Sequence, residues 1–175
     1  MTRYAVLLRG INVGGHNKLP MADLRAALEG AGYEAVETYI QSGNVALNAT
    51  SCRPDHITAV IQEEFGLDIP VVVRTARQLR AAIKANPFPE TEAEPKRLLV
   101  YFCSAKVPKA ALKTFDHERY LPDRMAAGPA EIYVSYDVGL SQSKLSNVVL
   151  DRVLGLSTTA RNWTTVLKLA DMVAG

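Results

Sequence analysis

Two stretches of this chain run through the same succession of periodicities, and that repetition restricts its folding more than any single motif does. In the first, residues 4–11 are an apolar run suited to a central strand. Met21, Leu24, Leu28 and Ala31 then fall at three- and four-residue spacing and predict a helix over 20–30, opened by Pro20 and stopped by Gly30 and Gly32. Val36, Thr38 and Ile40 would share one face of a second strand, with Glu37, Tyr39 and Gln41 on the other. Ser42-Gly43-Asn44 turns the chain into a short third strand at 45–47. Pro54 opens a helix with Ile57, Val60, Ile61 and Phe65 on one stripe, closed by Gly66, and residues 69–73 form a fourth strand. The order is βαββαβ.

Thr75-Ala76-Arg77-Gln78 has the spacing of a capping box, and the helix it starts should end near Asn86-Pro87. Residues 87–95, with three prolines and three glutamates, read as a solvated linker. Beyond them the order recurs: a strand over 97–103, a short helix over 108–115 and a weak strand at 118–121. A strand over 131–136 follows, with Ile132, Val134 and Tyr136 alternating against Tyr133 and Ser135. A helix over 143–154 then turns Leu145, Val148, Val149 and Val153 inward, residues 157–161 make a last strand, and Asn162 caps a final helix carrying Trp163, Val166, Leu167 and Ala170. The fold class is therefore α+β: two tandem ferredoxin-like (βαββαβ) modules, antiparallel sheets with helices packed on them. The boundaries are 1–86, a linker at 87–96, and 97–175.

Composition narrows the function classes. Hydrophobic residues make up 48% of the 175, enough for a buried core, and the formal charge is only +2. Residues 1–50 carry four basic against four acidic side chains and residues 51–100 seven against seven. No segment forms the basic stripe that a duplex nucleic-acid binder needs to neutralise phosphates. Cys52 and Cys103 are far apart, and His16, His56 and His117 are scattered, so no structural zinc site, other metal site or cofactor motif is expected. The N-terminus enters a strand at once and no long apolar segment follows, which reads as a cytoplasmic protein with reduced thiols and no membrane span. Nothing in the sequence speaks to oligomeric state.

Certain motifs are specific. Leu8-Arg9-Gly10-Ile11-Asn12-Val13-Gly14-Gly15, then Lys18, Met21 and Leu24-Arg25, then Thr38-Tyr39-Ile40-Gln41-Ser42-Gly43-Asn44-Val45, and later Lys144-Leu145-Ser146-Asn147 and 159–166 closely resemble the bacterial domain-of-unknown-function family DUF1697. The resemblance spans almost the whole chain and is weakest over 75–128. It implies a small α/β protein of two ferredoxin-like halves, and it supplies no substrate or catalytic residue.

Three places are candidates for a binding site. In the loop from Arg9 to Lys18, glycines bring backbone N–H groups close to a ligand, and the following helix start adds partial positive charge. Arg9, Asn12, Gly14, Gly15 and Lys18 could therefore hold a phosphate or carboxylate. The loop lacks the P-loop and dinucleotide spacings, and the plain alternative is a tight turn in which Asn12 bonds the backbone. Gln41, Ser42 and Asn44 could present polar groups, or simply make a hairpin. With the second strand taken as antiparallel to the first, this motif is expected at the opposite end of the sheet from the glycine loop. Lys144, Arg161 and Asn162 form the third group, beside a Trp163 that could stack on a base or anchor a core. No Gly-x-Ser-x-Gly elbow or Cys–His arrangement is present, and Asp23, Asp137 and Asp151 are isolated, so no reaction is assigned. The sequence thus reads as a binder of a small anionic or phosphorylated metabolite, with or without catalysis. The alternative is a single-stranded RNA-binding or protein-interaction module using Tyr39, Tyr101 and Phe102 on a sheet face.

Overall fold

The computed structural model describes residues 1–175 and is built from eight strands and six helices. In chain order these are β1 (Thr2–Leu8), α1 (Met21–Gly30), β2 (Glu34–Tyr39), β3 (Asn44–Ala49), α2 (Pro54–Phe65), β4 (Val71–Thr75) and α3 (Ala76–Lys84). They continue with β5 (Leu98–Cys103), α4 (Lys109–Leu112), β6 (Arg124–Ala127), β7 (Glu131–Ser135), α5 (Asn147–Leu154), β8 (Thr158–Asn162) and α6 (Trp163–Met172). The chain forms two compact units, Met1–Arg80 with Lys168–Gly175, and Ala81–Leu167. No helix is long and apolar enough to cross a membrane.

In the first unit the sheet order is β2-β3-β1-β4 and every neighbouring pair is antiparallel. Strands β1 and β2 both oppose β3, which lies between them, so they run in the same direction and finish at the same end of the sheet. This corrects the expectation that the glycine loop and the Gln41–Asn44 motif lie at opposite ends. The core packs Val6 and Leu8 of β1 with Leu24 and Leu28 of α1 and Ile57 and Ile61 of α2. Both helices owe this to their three- and four-residue apolar spacing. Ile40 does not continue β2: it is exposed, with a φ of 48°.

The second unit repeats the arrangement, with sheet order β6-β7-β5-β8, again antiparallel throughout. The expected strand at 118–121 is instead a single 3-10 turn, Glu118–Tyr120, and the edge strand is β6. Because β7 is central, Tyr133 and Ser135 are buried along with Ile132 and Val134, and no face of it meets solvent. Helix α5 starts at Asn147, later than expected, with Ser146 as its N-cap. Its buried residues are Leu150 and Leu154, while Val148 is exposed.

The proline- and glutamate-rich stretch is folded. It holds a 3-10 helix, Pro89–Ala93, whose Thr91 hydroxyl shares a buried 2.8 Å hydrogen bond with Ser135. Arg124 donates to Glu90 at 2.7 Å and to Asp137 at 3.0 Å, and its guanidinium lies 4.9 Å from the centre of the Phe88 ring. Composition alone gives no hint of these tertiary partners.

Candidate functional site

The chain between β1 and α1 is a finger tied by its own hydrogen bonds. Gly14 and Gly15, with φ of 58° and 76°, form the two-residue turn of a minimal hairpin. Val13 and His16 bridge across it, the His16 N–H donating to Val13 O at 3.0 Å. One step further down, the Asn12 N–H donates to Asn17 O at 3.1 Å, and the Asn17 side chain donates to Gly10 O at 2.9 Å.

Asn12 pins the base of the finger. Its amide nitrogen donates to Leu19 O and to Gln41 O, each at 2.8 Å, and its amide oxygen accepts from the Leu19 N–H at 2.8 Å. Asn12 thus ties β1, the entry to α1 and the β2–β3 turn together. The turn closes against the strand through the Leu8 N–H donating to Gly43 O at 2.8 Å, and the Arg9 N–H donates to Pro70 O at 3.0 Å. Asn44 is fully buried and donates to Tyr39 O at 3.1 Å and to the Ser42 hydroxyl at 3.0 Å.

The two N-terminal motifs therefore meet at one sheet end. Within them the Asn12 amide is committed to backbone groups, and the Asn44 amide to the Tyr39 carbonyl and the Ser42 hydroxyl. Gly14, Gly15, His16, Lys18 and Gln41 are exposed, and Arg9 and Ser42 are half-buried. The N–H groups of Gly14 and Gly15 donate to no acceptor in the chain. Helix α1 begins after Pro20 with no side-chain cap. Val13 and Ile40 are at least half exposed at this end, a feature the strand assignment of Ile40 hid. His16, which the sequence shows only as one of three scattered histidines, belongs to the finger. The signal was present as Gly-Gly between two residues able to pair.

The third group lies in the second unit and is dispersed in role. Arg161 is buried, donates to Ala160 O at 2.8 Å, and is drawn down to about 10 by loss of solvent. Asn162 accepts from the Thr165 N–H at 3.0 Å and caps α6, Trp163 is buried, and Lys144 is exposed ahead of α5. The first unit has a counterpart to Arg161 that the sequence reading missed. Arg74, also buried and also next to last in its strand, donates to Val73 O at 3.0 Å, and a capping residue and a helix follow it. Tyr101 and Phe102 are buried, which removes them as bases' stacking partners, and Tyr39 stands under the Lys168 ammonium, 5.9 Å from its ring centre.

At the opposite end of the first sheet, where β3 leads into α2, a cavity of about 480 Å³ is lined by Tyr33, Ser51, Arg53, Asp55, His56 and Ala59. Tyr33 and His56 Nδ1 share a 2.6 Å hydrogen bond. Burial, then the neighbouring Cys52, pushes Tyr33 up to about 12, and burial pushes Cys52 up to about 11. A thiol held this far up carries little thiolate at neutral pH and is a poor nucleophile. No group of three or more His, Cys, Asp or Glu side chains is gathered in a way that could hold a metal ion.

These features define a class: an α+β protein of two four-stranded antiparallel sheets, the first of which ends in a pinned glycine finger. The chain belongs to the family described as "Protein of unknown function (DUF1697)", whose model matches residues 1–133. The match thus includes the less motif-like middle and stops short of the C-terminal motifs. Among solved structures the chain is similar to the conserved bacterial protein SP0830 from Streptococcus pneumoniae, with 23% identity, a TM-score of 0.68 and 99% of each chain covered. That likeness concerns the fold. No curated protein matches the chain.

Proposed function

We propose that the protein binds a small anionic or phosphorylated ligand at the finger, and that its two units are ferredoxin-like modules in tandem. The fold part is supported by the matching βαββαβ order and the matching strand order of the two sheets. The observation that carries the binding part is that the finger's own hydrogen bonds tie its shape while the exposed Gly14 and Gly15 keep N–H groups with no acceptor in the chain, and Lys18 is exposed in the same loop. A preformed loop loses little entropy on binding, and amide donors beside a cation suit an anion. Arg9, Gln41 and Ser42 are the adjoining contacts in this reading, and Asn12 and Asn44 are its scaffold. A cytoplasmic setting belongs to the reading, in keeping with two cysteines that form no disulfide.

The test is thermal unfolding against phosphates, sugar phosphates, nucleotides and carboxylates. A ligand at a hundred times its dissociation constant adds about 2.7 kcal/mol. The expected result is a shift from one class of anion that Lys18→Glu and Arg9→Ala both weaken. If neither substitution changes the affinity of the ligand found, the site is elsewhere. A second reading, a protein-interaction surface, is favoured by exposed Val13 and Ile40. It predicts no shift from any small anion and capture of a partner that Val13→Asp abolishes.

A further inference from the structure

Each unit has a groove between its two sheet-packed helices, and the two grooves differ in chemistry. In the first unit, between α1 and α2, the groove is lined by alanines and Gly30 with Val60, Phe65, Asp23, Glu63 and Glu64, and it contains no basic side chain. In the second, between α5 and the end of α4 with the turn that follows it, a cavity of about 300 Å³ is lined by Phe115, Tyr120, Arg119 and Arg152, with Ala111 and Val153 on its apolar wall. The topology is the same, so the fold does not by itself require arginines there.

The aromatic wall is preformed. The Phe115 and Tyr120 rings are stacked, 5.3 Å between centres and 11° from parallel, and His117 meets Phe115 edge-on at 4.8 Å. Phe115 and Tyr120 also pack against the core of the unit, which fixes their position. The Arg119 guanidinium lies 5.9 Å from the centre of the Tyr120 ring, and neither Arg119 nor Arg152 makes an ion pair. Asp116, the one acid on the lining, accepts the Arg119 N–H at 3.2 Å and so is tied to the turn that carries Arg119. Two guanidinium groups without ion pairs, against one lining carboxylate, leave the groove net positive beside a fixed aromatic wall and favour a ligand with a flat ring and a negative charge.

We infer that the α4–α5 groove is a binding site for a nucleobase-bearing phosphate, a nucleoside monophosphate in size, separate from the finger. The ring lies against Tyr120 and Phe115, and Arg119 and Arg152 take the phosphate. Bidentate guanidinium contacts give the charge selectivity, and the rings give tolerance among bases.

The experiment is a titration of the 15N-labelled full chain with adenosine monophosphate, adenosine and inorganic phosphate, read from amide shifts. The expected result is saturable shifts over 111–120 and 152–153 with the monophosphate, at a dissociation constant below about 1 mM. Adenosine and inorganic phosphate each bind roughly tenfold or more weakly, because each keeps half of the recognition. The double substitution Arg119→Ala with Arg152→Ala, both exposed, lowers the affinity roughly tenfold or more while the dispersion of the spectrum is kept. Tyr120→Leu removes the advantage of the monophosphate over inorganic phosphate. Absence of saturable shifts in the groove up to about 10 mM ligand overturns the inference. So do inorganic phosphate binding as well as the monophosphate, and a folded double variant that binds like the parent. Shifts confined to residues 9–18 overturn it too, while favouring the finger.

Discussion

Gly43 has a φ of 90°, and a Cβ there would meet Leu8 Cβ and Ile11 Cδ1 at 2.8 Å each. Gly15 also has a positive φ, 76°, but a Cβ on it would meet nothing. The two therefore separate backbone strain from steric clash. Gly15→Ala is expected to cost about 1 kcal/mol from conformation alone, and Gly43→Ala roughly 2–4 kcal/mol, because the turn must also move away from β1. Urea unfolding of the two variants checks the order. Cys52 gives a second expectation. Its pKa rises on folding from 9.0 to about 11, so the folded state keeps the proton that the unfolded chain gives up first. Its contribution to stability is complete below about pH 9 and is lost as the pH climbs through 11, and Tyr33 extends the loss toward 12. Iodoacetamide should label Cys52 at a rate still rising past pH 10, where an ordinary thiol has levelled, and should leave the buried Cys103 unlabelled in the folded protein.

Helices in this chain were legible where the apolar stripe was regular and the cap was written locally. Thr75 and Gln78 form the expected reciprocal box, with Thr75 N–H to Gln78 Oε1 at 2.8 Å and Gln78 N–H to Thr75 Oγ1 at 3.3 Å. Asn162 caps α6 as expected, and Asn162→Ala should cost about 1 kcal/mol, with Asn162→Asp retaining most of it. Ser146 holds its acceptor contact at 3.5 Å, so Ser146→Ala should cost less than Asn162→Ala in the same denaturation series. Edge strand β6 was not legible: Arg124-Met125-Ala126-Ala127 buries Met125 alone and has no alternation to display. The direction of β2 is not legible in the sequence, because a strand's direction comes from its neighbours across the sheet and leaves no mark in its own residues. At the candidate site, the glycines and amides were visible as a loop, and the pairing of Val13 with His16 was readable from Gly-Gly. That Asn12 reaches Gln41, 29 positions away, was not, because such a bond exists only once β1 and β2 end together.

The chain's last residues belong to its first unit, although they follow the second in sequence. Lys168–Gly175 completes the unit that begins at Met1, so the continuous helix α6 changes unit after Leu167. Its end is built in at several points. Leu169 and Val173 are buried, Arg3 Nε donates to Met172 O at 2.7 Å, and the Lys168 ammonium stands over Tyr39. The same Arg3 donates to Asn48 at 3.0 Å and pairs with Glu37 at 2.7 Å, which joins the C-terminal turn to β1, β2 and β3. A boundary drawn from composition near 87–96 assigns this segment to the second module, because nothing local distinguishes the half of α6 that covers Leu169 from the half that carries Trp163. Removing residues 168–175 should therefore weaken the N-terminal sheet, hundreds of bonds away along the backbone. Losing the burial that Leu169 and Val173 supply costs roughly 3–6 kcal/mol. Hydrogen exchange on the truncated chain should show faster exchange in β1, β2 and β3, with β5 and β7 less affected. Acceleration confined to β5, β7 and β8 would mean that the final turn of α6 serves the second sheet instead.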